Sequence, residues 1–566
     1  MQYDCVIRGG MIVDGTGAEP YLADLAIKDG RIAAIGPIDG AADTEIDAAG
    51  RIVTPGFVDI HTHYDGHVVW SERLNPSSYH GVTTVVMGNC GVGFAPCKPE
   101  DRERMVSLME GVEDIPEVVL TAGLTWDWEG FPEFMDRLDE RRYDMDVATY
   151  LPHAPLRVYV MGERAAAKEA ATERDIEQMR ELAAEAIGAG ALGFSTSRSL
   201  AHVSRDGWVT PSYGAAEQEL RGIAAGLEQA GSGIIQLISD FNDIDPEFAM
   251  LRRVGEQSGR PVTLSVFQKP YAPDRWRELL DRIEDANSDG VAMTGQVAPR
   301  PIGALLGLAQ YQNPFSYCPT YAGLAGLPPA ERLEQLRRPE VRAGILAEWP
   351  GDIDAARGTF WRFDNLFPLT DPPEYEPGFA QSFAGLAEAQ GVSPAQAAYD
   401  YLVGGDGSAL IYMPAMNFVD GKADAVRPML EHDHTVVGLG DGGAHCSFIC
   451  DASFPTHVMA RWAGEGEDRI GLARAVRMLT ADTAALVGLN DRGRLAPGLR
   501  ADINVIAMDE IGLRAPKMVY DLPEGGGRLR QEATGYDYTL VAGEVTYQRG
   551  EATGALPGRL VRGARG

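Results

Sequence analysis

The sequence predicts an α/β chain: a (β/α)8 barrel of the TIM type with a small β-sandwich domain built from both chain termini. Three observations carry this expectation. Through the middle of the chain, short apolar runs alternate with long charged segments of helical period. Both ends are instead made of short strand-like runs separated by glycine turns. The 566 residues also exceed what a single compact core sustains, so a large domain with a smaller companion is expected.

Taken in order, Tyr3 to Arg8 reads as a strand and Gly9-Gly10 as a turn. The alternating runs 22–27 and 31–35 flank Lys28-Asp29-Gly30, a hairpin signal. Strands are then expected at 56–61, 82–87, 147–151, 191–195, 233–238, 261–266, 291–295 and 435–440. Between them lie helical segments such as 173–188, whose apolar residues Ile176, Met179, Leu182, Ala183 and Ile187 share one face. The Pro-rich stretch from about 300 to 430 carries its own aromatic set, Tyr311, Phe315, Tyr317, Tyr321, Trp349, Trp361 and Phe363, and reads as an insertion over the barrel mouth. Strand-like runs return at 501–506 and 538–545. Residues 1–54 with 490–566 are therefore assigned to the sandwich and 55–489 to the barrel. No internal repeat is found.

Composition narrows the function classes. No uncharged apolar stretch reaches about 18–20 residues, so no membrane span is expected. The N-terminus lacks the basic and apolar regions of a secretory signal, which points to the cytoplasm. Lys and Arg number 50 against 82 Asp and Glu, a formal charge of −32 that repels nucleic acid and anionic lipid. The expected partner is a small molecule, and the sequence leaves a homo-oligomer open. Six scattered cysteines in such a chain argue against a disulfide framework, and Cys446 and Cys450 beside His445 lack the second pair of a zinc knot.

The chemistry begins at residues 55–63, where the apolar run Gly56-Phe57-Val58-Asp59-Ile60 leads straight into His61-Thr62-His63. In a strand, residues two apart face the same way, so both imidazoles reach one point at the strand's C-terminal end, where barrel active sites lie. That spacing suits a metal chelate. A second apolar run, from Thr435, delivers Asp441 at its tip. A carboxylate there can touch a metal and accept a proton from water, whose pKa a metal lowers toward about 7. A third run, from Gly81, ends at Cys90 inside a glycine-flanked turn. A metal would hold that thiol deprotonated, whereas without one a buried cysteine is an ordinary small apolar residue.

These motifs resemble the N-acyl-D-amino-acid deacylases (D-aminoacylases) of the amidohydrolase superfamily nearly end to end. The likeness rests on Pro-Gly-Phe-Val-Asp-x-His-Thr-His at 55–63, Gly-Val-Thr-Thr-Val-x-x-Gly-Asn-Cys-Gly at 81–91, Gly-Ala-Leu-Gly-Phe-Ser-Thr at 190–196, Asp441, and the late segment 493–502. The resemblance implies that His61, His63, Cys90 and Asp441 are metal ligands or metal neighbours. It also implies that Asp441 is the general base and that the cysteine replaces the carboxylated lysine of other branches.

The sequence departs from that family at the fifth and sixth strands, where the deacylases place zinc-binding histidines. No histidine occurs from 203 to 431, and Gln236, Ser265 and Gln268 are poor zinc ligands. A single Zn2+ on His61, His63 and Asp441, with Cys90 on or beside it, is expected. Candidates for substrate contact are His153 and Arg157 after the third strand, Arg198 and His202 after the fourth, Lys269 after the sixth, and His445. Lys269 lies one residue from where the resemblance implies a lysine for the substrate carboxylate. The expected reaction is hydrolysis of an N-acyl (D-)amino acid. The alternatives are a cyclic amide, imide or enamide, or a ligand-binding barrel that has lost catalysis.

Overall fold

The computed structural model describes residues 2–350 and 362–563. Trp361 of the expected aromatic set lies outside them. The chain opens with five strands, β1 (Tyr3–Ile12), β2 (Tyr21–Lys28), β3 (Arg31–Gly36), β4 (Ala42–Asp47) and β5 (Ile52–Pro55). The expected turn at Gly9-Gly10 is instead an irregularity within β1, which pairs with β2 on both sides of a register shift between Ile7 and Gly10. Gly9 has a φ of +64°, so the flexible pair kinks the strand without ending it. Lys28 and Arg31 are paired, as the hairpin signal required.

A parallel series follows: β6 (Phe57–Asp59), β7 (Val82–Met87), β8 (Asp146–Thr149), β9 (Leu151–Pro152), β10 (Gly193–Arg198), β11 (Ile234–Ser239), β12 (Val262–Ser265) and β13 (Met293–Val297). Three strands then leave the series, β14 (Ile302–Leu306), β15 (Phe367–Pro368) and β16 (Ile411–Met416), and β17 (Thr435–Val437) resumes it. Every residue of β7 and of β12 is buried. Helices cover such strands on their outer face, which is why these stretches read as continuous apolar runs and not as alternating ones. The helix Glu173–Ala189 is entered through Thr172 and Asp175, which cap each other reciprocally.

The parallel strands form two sheets, β6-β7-β8 and β17-β13-β12-β11-β10-β9. Only Tyr150 separates β8 from β9. At the other end, a bridge joins Thr62 to Gly442, Asp441 N donates to His61 O at 3.0 Å, and His63 N donates to Gly442 O at 2.7 Å. The tips of β6 and β17 are thereby stitched together.

The chain's last part returns to the first sheet. β18 (Ile503–Ile506) pairs antiparallel with β5, and the strands Tyr536–Val541, Glu544–Gln548 and Glu551–Ala552 extend it, giving one nine-stranded sheet from both chain ends. β14, β15 and β16 form a separate antiparallel sheet with its own apolar core, which includes Phe315, Tyr321, Phe383 and Tyr399. That sheet is tied to the loops after β12 and β17 by Asn417 N to Gln268 O at 2.9 Å and Leu305 N to Phe448 O at 2.7 Å.

Candidate metal centre

His61 and His63 follow β6, Cys90 follows β7 and Asp441 follows β17. All four lie at strand C-terminal ends. His61, His63 and Cys90 each offer one ligand atom, all within 4.8 Å of one another. Cys90 Sγ lies 3.3 Å from His61 Nε2. Asp441 Oδ1 lies 3.4 Å from His61 Nε2 and 3.5 Å from His63 Nε2. The two histidine side chains are at most 2% exposed, whereas that of Asp441 is 20% exposed, so the carboxylate is the member a solute can reach.

Backbone geometry explains the convergence. Cys90, Asp441 and His445 adopt φ values of +55°, +49° and +52°, a region that L-residues enter at a cost and that clusters at functional sites. Cys90 sits in a turn over Asn89–Gly91 that is clamped from several sides. Asn89 Nδ2 donates to Thr62 O and Val86 O, Cys90 N donates to Gln236 Oε1, and Gly91 N donates to Ser195 Oγ. Gly91 is required: a Cβ there would lie 2.9 Å from the Thr196 Cα, and its φ is +67°. His61 N donates to Asp59 Oδ1 at 3.1 Å.

The electrostatics separate the roles. Burial pushes the Asp441 carboxyl up, but the hydrogen bond to His63 and the charges of His61, His63 and His445 outweigh it and hold the group well below the usual carboxylate range. Burial lowers His61 to about 4, against the opposing charge of Asp441. Burial also opposes charge on His63, yet Glu113, Asp441 and Cys90 raise it well above the usual value. Burial pushes the Cys90 thiol up to about 11 against the opposing hydrogen bond and charge of His63.

Glu113 is the site residue that sequence reasoning missed. It ends the helix Arg102–Glu113, is 2% exposed, and places Oε1 3.3 Å from His63 Nδ1 and Oε2 3.8 Å from His445 Nε2. Its backbone carbonyl accepts from His445 N, while the next residue, Asp114, accepts from Ser447 N and Oγ at 2.8 Å. Burial lifts the Glu113 carboxyl to about 7. In the sequence it is one acidic residue of a charged helix, and nothing local distinguishes it.

The remaining candidates divide. His445 joins the cluster through Glu113. His202 is close enough to feel His63, His445 and Asp441, and its Nδ1 lies 2.8 Å from Ser197 Oγ. His153 and Arg157 are both engaged by Glu219 at 2.8 Å in a fully buried network. Arg198 is held by Glu247 at 2.8 Å and Ala215 O. Lys269 Nζ donates to Asp240 O at 2.8 Å and is 7% exposed. Cys446 and Cys450 are buried free thiols, with no metal-ligand group around them among the described residues.

The donor set fits a metal. Two imidazoles and a thiol, with the Asp441 carboxylate beside them, are the nitrogen, sulfur and oxygen mixture that zinc accepts. The amidohydrolase family profile matches residues 44–547, and the chain belongs to that family. It is a metal-dependent amidohydrolase, similar over its whole length to deacylases of N-acyl-D-amino acids. It is 30% identical to the N-acyl-D-glutamate deacylase of Alcaligenes xylosoxydans xylosoxydans over 569 residues, covering 99% of this chain and 96% of the relative. The N-acyl-D-glutamate deacylase from Bordetella bronchiseptica, solved with zinc and a phosphonate inhibitor, matches with a TM-score of 0.65 at 26% identity, covering 99% of this chain and 100% of that one. A D-aminoacylase solved to study one-metal activation of its binuclear centre matches with a TM-score of 0.66 at 23% identity, over 99% and 100% of the two chains, and supports the shared fold.

Proposed function

We propose that this enzyme hydrolyses N-acyl-D-amino acids, with N-acyl-D-glutamate the first substrate to test, at a centre holding one Zn2+ through His61, His63, Asp441 and Cys90. The observation that carries the reading is the partly exposed Asp441 carboxylate, 20% accessible, set against a buried His61–His63–Cys90 cluster. Bound there, zinc would supply Lewis acidity toward the amide carbonyl and lower the pKa of water. The rest is done by side chains. Asp441 is ionised, so its carboxylate can accept a proton from the attacking water and return it to the leaving amine. Glu113 orients His63 from its far side. Lys269, the buried cation after β12, and Arg198 are the candidates for the substrate's carboxylates.

The choice of substrate is supported by the full-length relative, an N-acyl-D-glutamate deacylase. We read the two parallel sheets as one closed (β/α)8 barrel, supported by the β8–β9 continuity and the Thr62–Gly442 bridge. In that reading, residues 1–54 and 490–566 form the companion sandwich domain, and the region from about 300 to 430 covers the mouth. A cytoplasmic location is proposed; among the described residues no helix is long and apolar enough to cross a membrane. The test is a panel of N-acetyl-D-glutamate, its L-enantiomer, neutral N-acyl-D-amino acids and cyclic amides, assayed with metal content. Release of the D-amino acid at about one Zn2+ per chain supports the proposal, and turnover confined to cyclic amides overturns it.

A further inference from the structure

His61 can ligate a metal through Nε2 only if that nitrogen is bare, and its surroundings pull in opposite directions. Nε2 faces Cys90 Sγ at 3.3 Å and Asp441 Oδ1 at 3.4 Å. In the absence of a cation, the Asp441 carboxylate would draw the ring proton onto Nε2. Nδ1 faces Gln296 Oε1 at 2.7 Å. A carboxamide oxygen only accepts hydrogen bonds, so this contact requires the proton on Nδ1 and leaves Nε2 with its lone pair.

The amide is built in, not incidental. Gln296 lies on β13, fully buried, in register with Ser265 of β12 and Val436 of β17. Gly438 leaves room for it, since a Cβ at that position would lie 3.0 Å from Gln296 Oε1. His61 is fixed from its backbone as well, through Asp59. Turning the Gln296 amide over would present Nε2–H to His61 Nδ1, bare that nitrogen, and put the proton where a metal must bind.

We infer that Gln296 is a positioning residue that holds His61 in its Nδ1-protonated tautomer, so that Nε2 is presented to the cluster as a metal ligand. The inference rests on the metal-site reading above. A histidine that ligates metal almost always donates its other ring N–H to such an acceptor, and loss of the acceptor typically costs about 10–100-fold in metal affinity. Gln296 touches neither substrate nor reacting atoms in this assignment.

The test compares the whole protein with Gln296→Met, which keeps the bulk and removes the acceptor, and Gln296→Glu, which keeps an acceptor. Zn2+ affinity is measured by competition with a chelator, and the His61 tautomer by 15N NMR of histidine-labelled protein with and without Zn2+. The expected result is Nδ1–H for His61 in the wild type, a roughly 10–100-fold loss of Zn2+ affinity in Gln296→Met, and recovery in Gln296→Glu. Unchanged affinity in Gln296→Met, or equal loss in both variants, overturns the inference. Should the wild type bind no Zn2+, the metal-site reading fails, and the metal-free spectra decide this one alone. A tautomer shift in Gln296→Met, absent in Gln296→Glu, supports it, and an unchanged tautomer overturns it.

Discussion

The strand tips fall into two groups of opposite chemistry. β6, β7 and β17 lead into imidazoles, a thiol and a carboxylate, whereas β11, β12 and β13 carry amides and hydroxyls. The second group still serves the first: Gln236 Oε1 accepts from Cys90 N and Gln296 Oε1 meets His61 Nδ1. The free ends of that group, Gln236 Nε2, Gln296 Nε2, Thr263 Oγ1 and Ser265 Oγ, are buried without partners among the described residues. In the reading proposed above, one half of the centre supplies ligands and proton transfer while the other sets geometry. A residue in the first half should therefore fail by losing turnover or metal, and one in the second by losing stability or affinity.

The largest effect is expected at Asp441. Asp441→Asn keeps the shape and removes the proton acceptor, so kcat should fall by about 10²–10⁴-fold with the circular dichroism spectrum unchanged. Turnover near the wild-type rate would place the base elsewhere and dissolve the division. The next effect tests whether Glu113 supports the ligands from outside, as Gln296 does. Glu113→Gln removes the charge beside His63 Nδ1, and Zn2+ affinity should weaken by about 10–100-fold in a chelator competition. Equal affinity would leave Glu113 as a clamp between its helix and the loop at His445. Gln236→Leu probes the other half. It strands the Cys90 N–H in a buried site, so the unfolding midpoint should reflect a loss of about 1–3 kcal/mol while Zn2+ stoichiometry stays the same. Loss of metal with no loss of stability would reverse the assignment.

Much of the His61–His63–Cys90–Asp441 cluster was legible in the sequence, for a physical reason. Alternation carried past the end of β6, through the Thr62–Gly442 bridge, puts His61 and His63 two residues apart on one side, and apolar runs that end in a polar residue mark the strand ends that lead to Cys90 and Asp441. The parallel strands were legible too, because a strand buried on both faces leaves a continuous apolar run. What could not be read was anything assembled from far apart. Glu113 reaches His445 across more than three hundred residues, and its helix carries no motif. Gln236 and Gln296 can be read from the sequence as poor zinc ligands, but their tie to Cys90 and His61 exists only in three dimensions. His153 and Arg157 show the converse: their loop position suggested the cleft, and the structure gives both to Glu219. At Gly9-Gly10, a local turn signal was overridden by pairing with β2.

The smallest effect sharpens the comparison by taking a histidine that belongs to neither group. His67, four residues beyond His63, is 1% exposed, and both its ring nitrogens lack partners among the described residues. Burial, aided by the charge of Arg528, lowers it to about 3. Its ring packs against Tyr64 and Trp70, with centroids 5.6 and 4.9 Å away. The sign follows from linkage. Above the unfolded value of about 6.5 both states hold His67 neutral, and below it the unfolded chain takes up a proton that the folded one refuses. Stability therefore falls with pH from about 6.5 down toward 3, by about 1.4 kcal/mol per pH unit for this one group. His67→Phe keeps a ring in the same packing and removes the titration, so the fall in denaturation midpoint between pH 7.5 and 5.5 should be smaller than in the wild type. An equal fall in both proteins would show that His67 protonates within the fold, and that an unpartnered histidine beside this centre is less isolated from water than its burial implies.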